Sequence, residues 1–88
     1  MEEKQHNVKL EQRKNLSLSG ILSVESFRDD AVELDSTMGL IQITGIGLHM
    51  EKLDLDRGEV TLTGTVVSLY YPETNGEKKK GLLRRFFP

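Results

Sequence analysis

The residues that could do chemistry in this 88-residue chain are few. His6 and His49 are the two imidazoles, and there is no cysteine. Disulfides and thiolate zinc sites are therefore excluded. A histidine general base needs a nucleophile and an orienting partner. His49, beside Met50, has neither a neighbouring histidine nor a thiol, so no triad can be assembled around it. It reads as a half-exposed strand residue. The run Asp54-Leu55-Asp56-Arg57-Gly58-Glu59 faintly resembles a calcium loop, but it lacks a third ligand before the glycine and a closing bidentate glutamate. It reads as a polar turn, in which Asp bonds local backbone and Gly58 permits positive φ. Lys14, Phe27 and Arg28 could furnish a small nucleic-acid face. Only five aromatics in the chain (Phe27, Tyr70, Tyr71, Phe86, Phe87) count against it. Neither a cofactor motif nor a metal ligand set is present, so the sequence predicts no cofactor, no metal and no enzyme.

The C-terminal segment is the one that invites a mechanism. It runs Lys78-Lys79-Lys80-Gly81-Leu82-Leu83-Arg84-Arg85-Phe86-Phe87-Pro88. On a helical projection Leu82, Leu83, Phe86 and Phe87 fall within one arc, with Arg84 and Arg85 opposite. Lys78, Lys79 and Lys80 add charge ahead of them. Basic residues beside an apolar face suit an anionic membrane surface or a groove on a partner. The apolar stretch is far below the ~12–15 residues at which an isolated helix becomes marginal, so it is expected to order on binding. The plainer reading, a solvated end whose Leu and Phe tuck onto the domain, stays open beside it.

Charge is uneven. Residues 14 to 72 carry nine acids against four bases (Lys14, Arg28, Lys52, Arg57), while residues 73 to 88 carry two acids against five bases. An acidic body repels a phosphate backbone, which counts against nucleic acid as the ligand. Residues 1 to 13 are charged and polar without an apolar h-region, and no apolar run approaches the roughly 20 residues of a membrane-spanning helix. The expectation is a cytoplasmic protein, soluble or peripheral at a membrane.

The elements that must position these residues read as strands. Leu16, Leu18, Leu22 and Val24 alternate with serines, Val32 and Leu34 with acids, Ile41 and Ile43 with Gln42 and Thr44, and Val60 and Leu62 with threonines. Period 2 marks half-buried strands, and residues 66 to 71 are strongly β-prone. Asp29-Asp30, Thr37-Met38-Gly39 and Asp54 to Gly58 are turn candidates. Short strands joined by short polar turns favour an antiparallel meander. Residues 1 to 13 are read as a flexible N-terminal segment, although Val8 and Leu10 could extend the first strand. Residues 14 to 72 are read as the β-domain, and 73 to 88 as a flexible basic-aromatic tail. The expected core is Leu16, Leu18, Leu22, Val24, Phe27, Val32, Leu34, Ile41, Ile43, Leu48, Met50, Leu53, Val60, Leu62, Val66 and Leu69, with at least one of Tyr70 and Tyr71 inside.

A motif of aliphatic, polar, aliphatic, hydroxyl and glycine recurs at Leu16–Gly20, Ile41–Gly45 and Val60–Gly64. Its spacing is too irregular for a solenoid. After Gly45 and Gly64 the apolar parity changes: Ile41 and Ile43 give way to Ile46, Leu48 and Met50, and Val60 and Leu62 to Val67, Leu69 and Tyr71. A one-residue slip moves a side chain to the other face, and glycine within a strand marks a bulge or bend. Two readings are open. The strands bend at glycine and cross between layers, making a curled sheet or small sandwich, or each glycine simply ends a strand. A domain this short buries only about 60% of the surface its unfolded chain exposes. With disulfides and metals excluded, self-association through β-edges, as a homodimer, is the remaining aid.

Leu16 to Tyr71 resembles the YabP family, with the YqfC proteins as relatives. The resemblance rests on an ordered series: Leu18-Ser19-Gly20, Val24-Glu25-Ser26-Phe27, Met38 to Gly45, Leu48-His49-Met50, Leu53 to Gly58, Val60 to Gly64, and Leu69-Tyr70-Tyr71. It implies a protein made in the mother cell during endospore formation and needed for spore envelope assembly, with no catalytic motif to carry over. Gly47 departs from the pattern, where a bulkier or polar residue is expected, and the tail beyond Pro72 has no clear counterpart. The expected function is a structural or adaptor protein contacting other sporulation proteins, some of them membrane-associated. A second reading is a peripheral tether docking on a membrane through the tail.

Overall fold

The computed structural model describes residues 5–72. Six strands follow one another: β1 (Asn7–Glu11), β2 (Asn15–Ser19), β3 (Ile21–Phe27), β4 (Ala31–Ser36), β5 (Gly39–Asp54) and β6 (Glu59–Tyr70). Every pairing is antiparallel, and the sheet order is β1-β2-β6-β5-β4-β3. The fold is all-β, a single folded-over sheet that is not closed into a barrel, as the period-2 pattern predicts.

The long β5–β6 hairpin is the spine. Its turn end carries β2 on the first part of β6, with Leu18 opposite Val60 and Leu16 opposite Leu62. Its open end carries β4 on the first part of β5, with Val32 opposite Ile43 and Leu34 opposite Ile41. Residues directly opposite share a face, so the register draws apolar rows across the strands. Val8, Leu18, Val60 and Leu53 form one row, and Leu10, Leu16, Leu62 and Met50 a second. Phe27, Val32, Ile43 and Leu69 form a third, and Val24, Leu34 and Ile41 a fourth. The central members of all four rows join Ile21, Leu48 and Val66 in one buried cluster. Rows from the two halves of the spine can share one core only because the sheet folds over on itself. Each fully buried aliphatic side chain contributes about 1.5–3 kcal/mol.

The fold line falls at the glycines. β5 runs through Gly45 and Gly47, and β6 through Gly64, without ending. The register slips between Thr44 and Gly45, between Ile46 and His49, and again between Met50 and Lys52. Of the two readings of these glycines, the bend is therefore the one realised. Gly20 is a further break of the same kind. Its φ of +72° puts it in the left-handed region that favours glycine. It separates β2 from β3, which lies at the far margin of the sheet. The Gly20 carbonyl accepts the Thr37 N–H at 2.9 Å, and the Ile21 N–H donates to the Gly58 carbonyl at 3.0 Å. The turns before β5 and β6 thus clasp the crossing.

Both short hairpins cap the bend with their turns. The β1–β2 turn, where Gln12 and Arg13 hold φ of +55° and +56°, is closed by the Lys14 N–H on the Glu11 carbonyl at 2.9 Å. Its Arg13 carbonyl accepts the Val66 N–H at 2.8 Å. The Arg13 guanidinium Nε–H donates to the Val66 carbonyl at 3.0 Å. From the other side, the Asp30 carbonyl accepts the Gly45 N–H at 3.1 Å and the Asp29 carbonyl the Leu48 N–H at 2.8 Å. Backbone groups that the bend removes from the ladder are thereby satisfied, as burial demands.

Several expectations are corrected. Residues 7 to 11, assigned above to a flexible segment, form β1, because Val8 and Leu10 extend the inner rows opposite Leu18 and Leu16. Leu22 is 49% exposed and Ile21 is buried, because Gly20 flips the parity that Leu16 and Leu18 establish. Phe27 and Leu53 lie on the inner face but are exposed, because they end their rows with no strand beyond them among the described residues. Val24, Met50 and Leu69 pack only partly against the core. Val67 is exposed while Val66 is buried, since the slip at the bend falls between Val66 and Ser68. Tyr70 and Tyr71 are both exposed, held by side-chain hydrogen bonds rather than by burial.

Candidate functional site

The sequence-predicted binding residues Lys78, Lys79, Lys80, Leu82, Leu83, Arg84, Arg85, Phe86 and Phe87 lie outside the described residues. The other candidates are dispersed. His49 is exposed in β5 opposite Thr63. In the 54–59 turn, the Asp54 carboxylate accepts the Arg57 N–H at 3.2 Å and Gly58 has φ +74°. The carboxylate is used in closing the turn, as read above. Lys14 belongs to the β1–β2 turn and Arg28 to the β3–β4 turn, where its Nε lies 3.3 Å from Asp30. Among the described residues no group of three or more His, Cys, Asp or Glu is placed to hold a metal.

Each outer face of the folded sheet carries a polar cross-strand row. On one, Tyr70 donates to Gln42 at 2.5 Å, and Gln42 donates to Glu33 at 2.8 Å, a ladder across three strands. Thr44 and Ser68 are bonded beside it at 2.6 Å. On the other, Lys9, Ser17, Thr61 and Lys52 form a cross-strand row. They floor an open depression of about 300 Å³ with Asn7, Ser19 and Glu59. Lys52 is paired there with Glu59 at 2.8 Å and Lys9 with Glu11 at 3.5 Å. Exposed pairs of this kind are worth at most about 1 kcal/mol. The depression has no aromatic floor and no unsatisfied buried side-chain atom aimed into it.

The margins of the sheet are different in kind. The inner apolar rows run out onto strands that have no neighbour beyond them among the described residues: Val8 and Leu10 on β1, Phe27 on β3 and Leu53 on β5. Their exposures are 39, 43, 39 and 51%, while the middle of each row is buried. Unpaired backbone lies beside exposed aliphatic side chains, the combination that accepts a further strand. The β1 margin is pinned at both ends. Arg13 holds Val66 at one end. At the other, His6 lies 2.6 Å by Nε2 from the Tyr71 hydroxyl and 2.8 Å by Nδ1 from the Ser19 carbonyl. Sequence reading missed Arg13 and His6. A lone basic residue and a lone histidine in a polar segment carry no period, and the partners Val66 and Tyr71 lie more than fifty residues away.

Comparison with known proteins agrees with this reading of the chain. A family model described as the YabP family matches residues 2–78. The protein named Spore protein YabP of Bacillus subtilis (strain 168) is 38% identical over 84 residues, covering 94% of this chain and 84% of that protein. The match runs through the strands, the glycine bend and the β1 segment alike, and on that breadth the chain belongs to the YabP family.

Proposed function

We propose that this protein is a non-catalytic structural adaptor of endospore formation, acting in the mother cell through protein–protein contacts during spore envelope assembly. The observation that carries the reading is the set of apolar rows ending on open margins. They offer a surface for interaction, whereas the polar side chains of the described residues form no reacting constellation. The relationship to a spore protein supplies the biological setting. At the margin remote from β1, Phe27 and Leu53 offer a partner exposed apolar side chains, on stretches of β3 and of the last part of β5 that have no ladder on their outer side among the described residues.

The experiment is a comparison of full-length wild type, Phe27→Asp and Leu53→Asp, each checked for fold by circular dichroism, in cross-linking capture from sporulating cells and in spore yield. The adaptor reading expects folded variants that lose a captured protein and form defective spores. Unchanged capture and unchanged spores would sink it. Removing residues 78–88 separates the tether reading. A tether loses membrane localisation with that deletion, whereas an adaptor working through the β3 margin keeps its partner.

A further inference from the structure

The two outermost strands of the sheet are edges of different quality. β3, at one margin, is irregular: its register against β4 shifts between Ile21 and Ser23 and again between Val24 and Ser26. Bulges twist an edge away from further pairing. β1, at the other margin, pairs with β2 through five consecutive residues, Asn7 to Glu11, without a shift. All five are exposed, and among the described residues no ladder lies on the outer side of β1. The strand is also fixed before any partner arrives. Arg13 is bonded to Val66 at one end of the β1–β2 hairpin, and His6 to Ser19 and Tyr71 at the other. A strand already ordered loses less entropy on binding than a mobile one.

The side chains of β1 suit a second β1. Val8 and Leu10 belong to the inner rows, opposite Leu18 and Leu16, and are 39% and 43% exposed. Asn7, Lys9 and Glu11 alternate with them on the outer face. A two-fold contact uses the same patch on both copies, so the patch must complement itself. An antiparallel pairing centred on Lys9 is the register that matches all five residues with all five of the second strand. It sets Val8 opposite Leu10 of the second copy and Leu10 opposite its Val8, so the exposed ends of two apolar rows cover each other. On the outer face it sets Asn7 opposite Glu11. It also sets Lys9 opposite Lys9, a like-charge pair that by itself opposes association. Each Lys9 already lies 3.5 Å from its own Glu11, and the second copy's Glu11 stands diagonally across, within reach of a long side chain. Two lysines and two glutamates then cancel. The neighbouring registers fit less well. Centring on Leu10 brings Val8 against Gln12, whose φ of +55° takes it out of the strand. Centring on Val8 brings Leu10 against His6, whose ring is held by Ser19 and Tyr71.

We propose that two copies of this chain join through β1, antiparallel about a two-fold axis at Lys9, so that one sheet runs through both. The ladder is short, so the dimer is weak and depends on concentration. It uses the margin opposite β3 and does not rest on the adaptor reading.

The test is sedimentation of the full chain over a wide range of concentration. The expected result is a mass rising from the 10.0 kDa of one chain towards twice that value. A monomer throughout overturns the proposal. Lys9→Glu puts four carboxylates where the charges cancelled, and should weaken association about tenfold or more. Phe27→Asp, on β3, should leave it unchanged, with the fold of both variants checked by circular dichroism. Loss in Phe27→Asp, or no loss in Lys9→Glu, overturns the choice of edge. Because the chain has no cysteine, single cysteines read the register. Opposed antiparallel residues lie about 4.5–5.5 Å apart, within reach of a disulfide. Lys9→Cys should therefore oxidise to a covalent dimer, and Val67→Cys, exposed elsewhere on the spine, should not. Equal yields from the two overturn the pairing.

Discussion

A Cβ built on Gly64 would lie 2.4 Å from the carbonyl oxygen of Gly47. The two residues belong to opposite strands of the spine and meet where both bend. Gly64 also holds φ at +120°, outside the range that side-chain-bearing residues adopt readily. Gly64→Ala is therefore expected to cost about 3 kcal/mol or more, from overlap and backbone strain together. Gly47 has open space around its Cβ position and φ of +61°, a left-handed conformation that asparagine tolerates. Gly47→Asn should cost about 1 kcal/mol or less, in keeping with the polar residue the family resemblance leads one to expect there. Urea unfolding of the two variants separates a required close approach from a mere turn. Equal losses would contradict the geometry.

The crossing at Gly20 decides which of two adjacent aliphatic residues belongs to the core. Ile21→Ser places a hydroxyl in a fully buried site and should cost about 3 kcal/mol or more. Leu22→Ser changes a half-exposed side chain and should cost less than about 1 kcal/mol. Thermal melting checks the pair. The reverse order would place Leu22 inside, as simple alternation from Leu16 predicts.

Leu62 sits in the middle of its row, with Leu16 on one side and Met50 on the other, and is fully buried. Leu62→Ala is expected to lose about 2–5 kcal/mol. Val67→Ala, at an exposed site only five residues along the same strand, should stay within about 0.5 kcal/mol of wild type. Denaturant midpoints distinguish them.

The β1–β2 turn holds two non-glycine residues at positive φ. For Gln12, whose side chain is exposed, Gln12→Gly should relieve about 1 kcal/mol of strain. The extra chain entropy of glycine offsets part of this, so the expected result is a small net rise in melting temperature. For Arg13 the strain has a return in the hydrogen bonds to Val66. Arg13→Ala removes the guanidinium bond and should lower stability by about 1 kcal/mol. Faster amide exchange around the bend would accompany it. A variant as stable as wild type would show that the pin carries no weight.

Much of the fold was legible from residue order. Alternation in Leu16–Leu18, Val32–Leu34, Ile41–Ile43 and Val60–Leu62 marks strands whose buried members the structure confirms, and the parity change at Gly45 marks a place where the strand either bends or stops, of which the structure takes the bend. The turn residues at Asp29-Asp30, Thr37-Met38 and Asp54 to Gly58 are where the chain reverses. These features are local, because side-chain alternation and glycine's conformational range act within a few residues.

Which apolar residues are covered was not legible. Val8, Leu10, Phe27 and Leu53 have the same alternation as the core residues, yet lie exposed, because burial depends on whether another strand lies beyond them. The order β1-β2-β6-β5-β4-β3 sets that, and it pairs residues far apart in sequence. The bonds from Arg13 to Val66 and from His6 to Tyr71 likewise join segments that only the folded-over sheet brings together. Sequence by itself determined strands, turns and the glycines at which a strand must either bend or stop. Tertiary structure alone decided the margins, since an edge is a property of what is absent beside a strand and no local pattern encodes a missing neighbour.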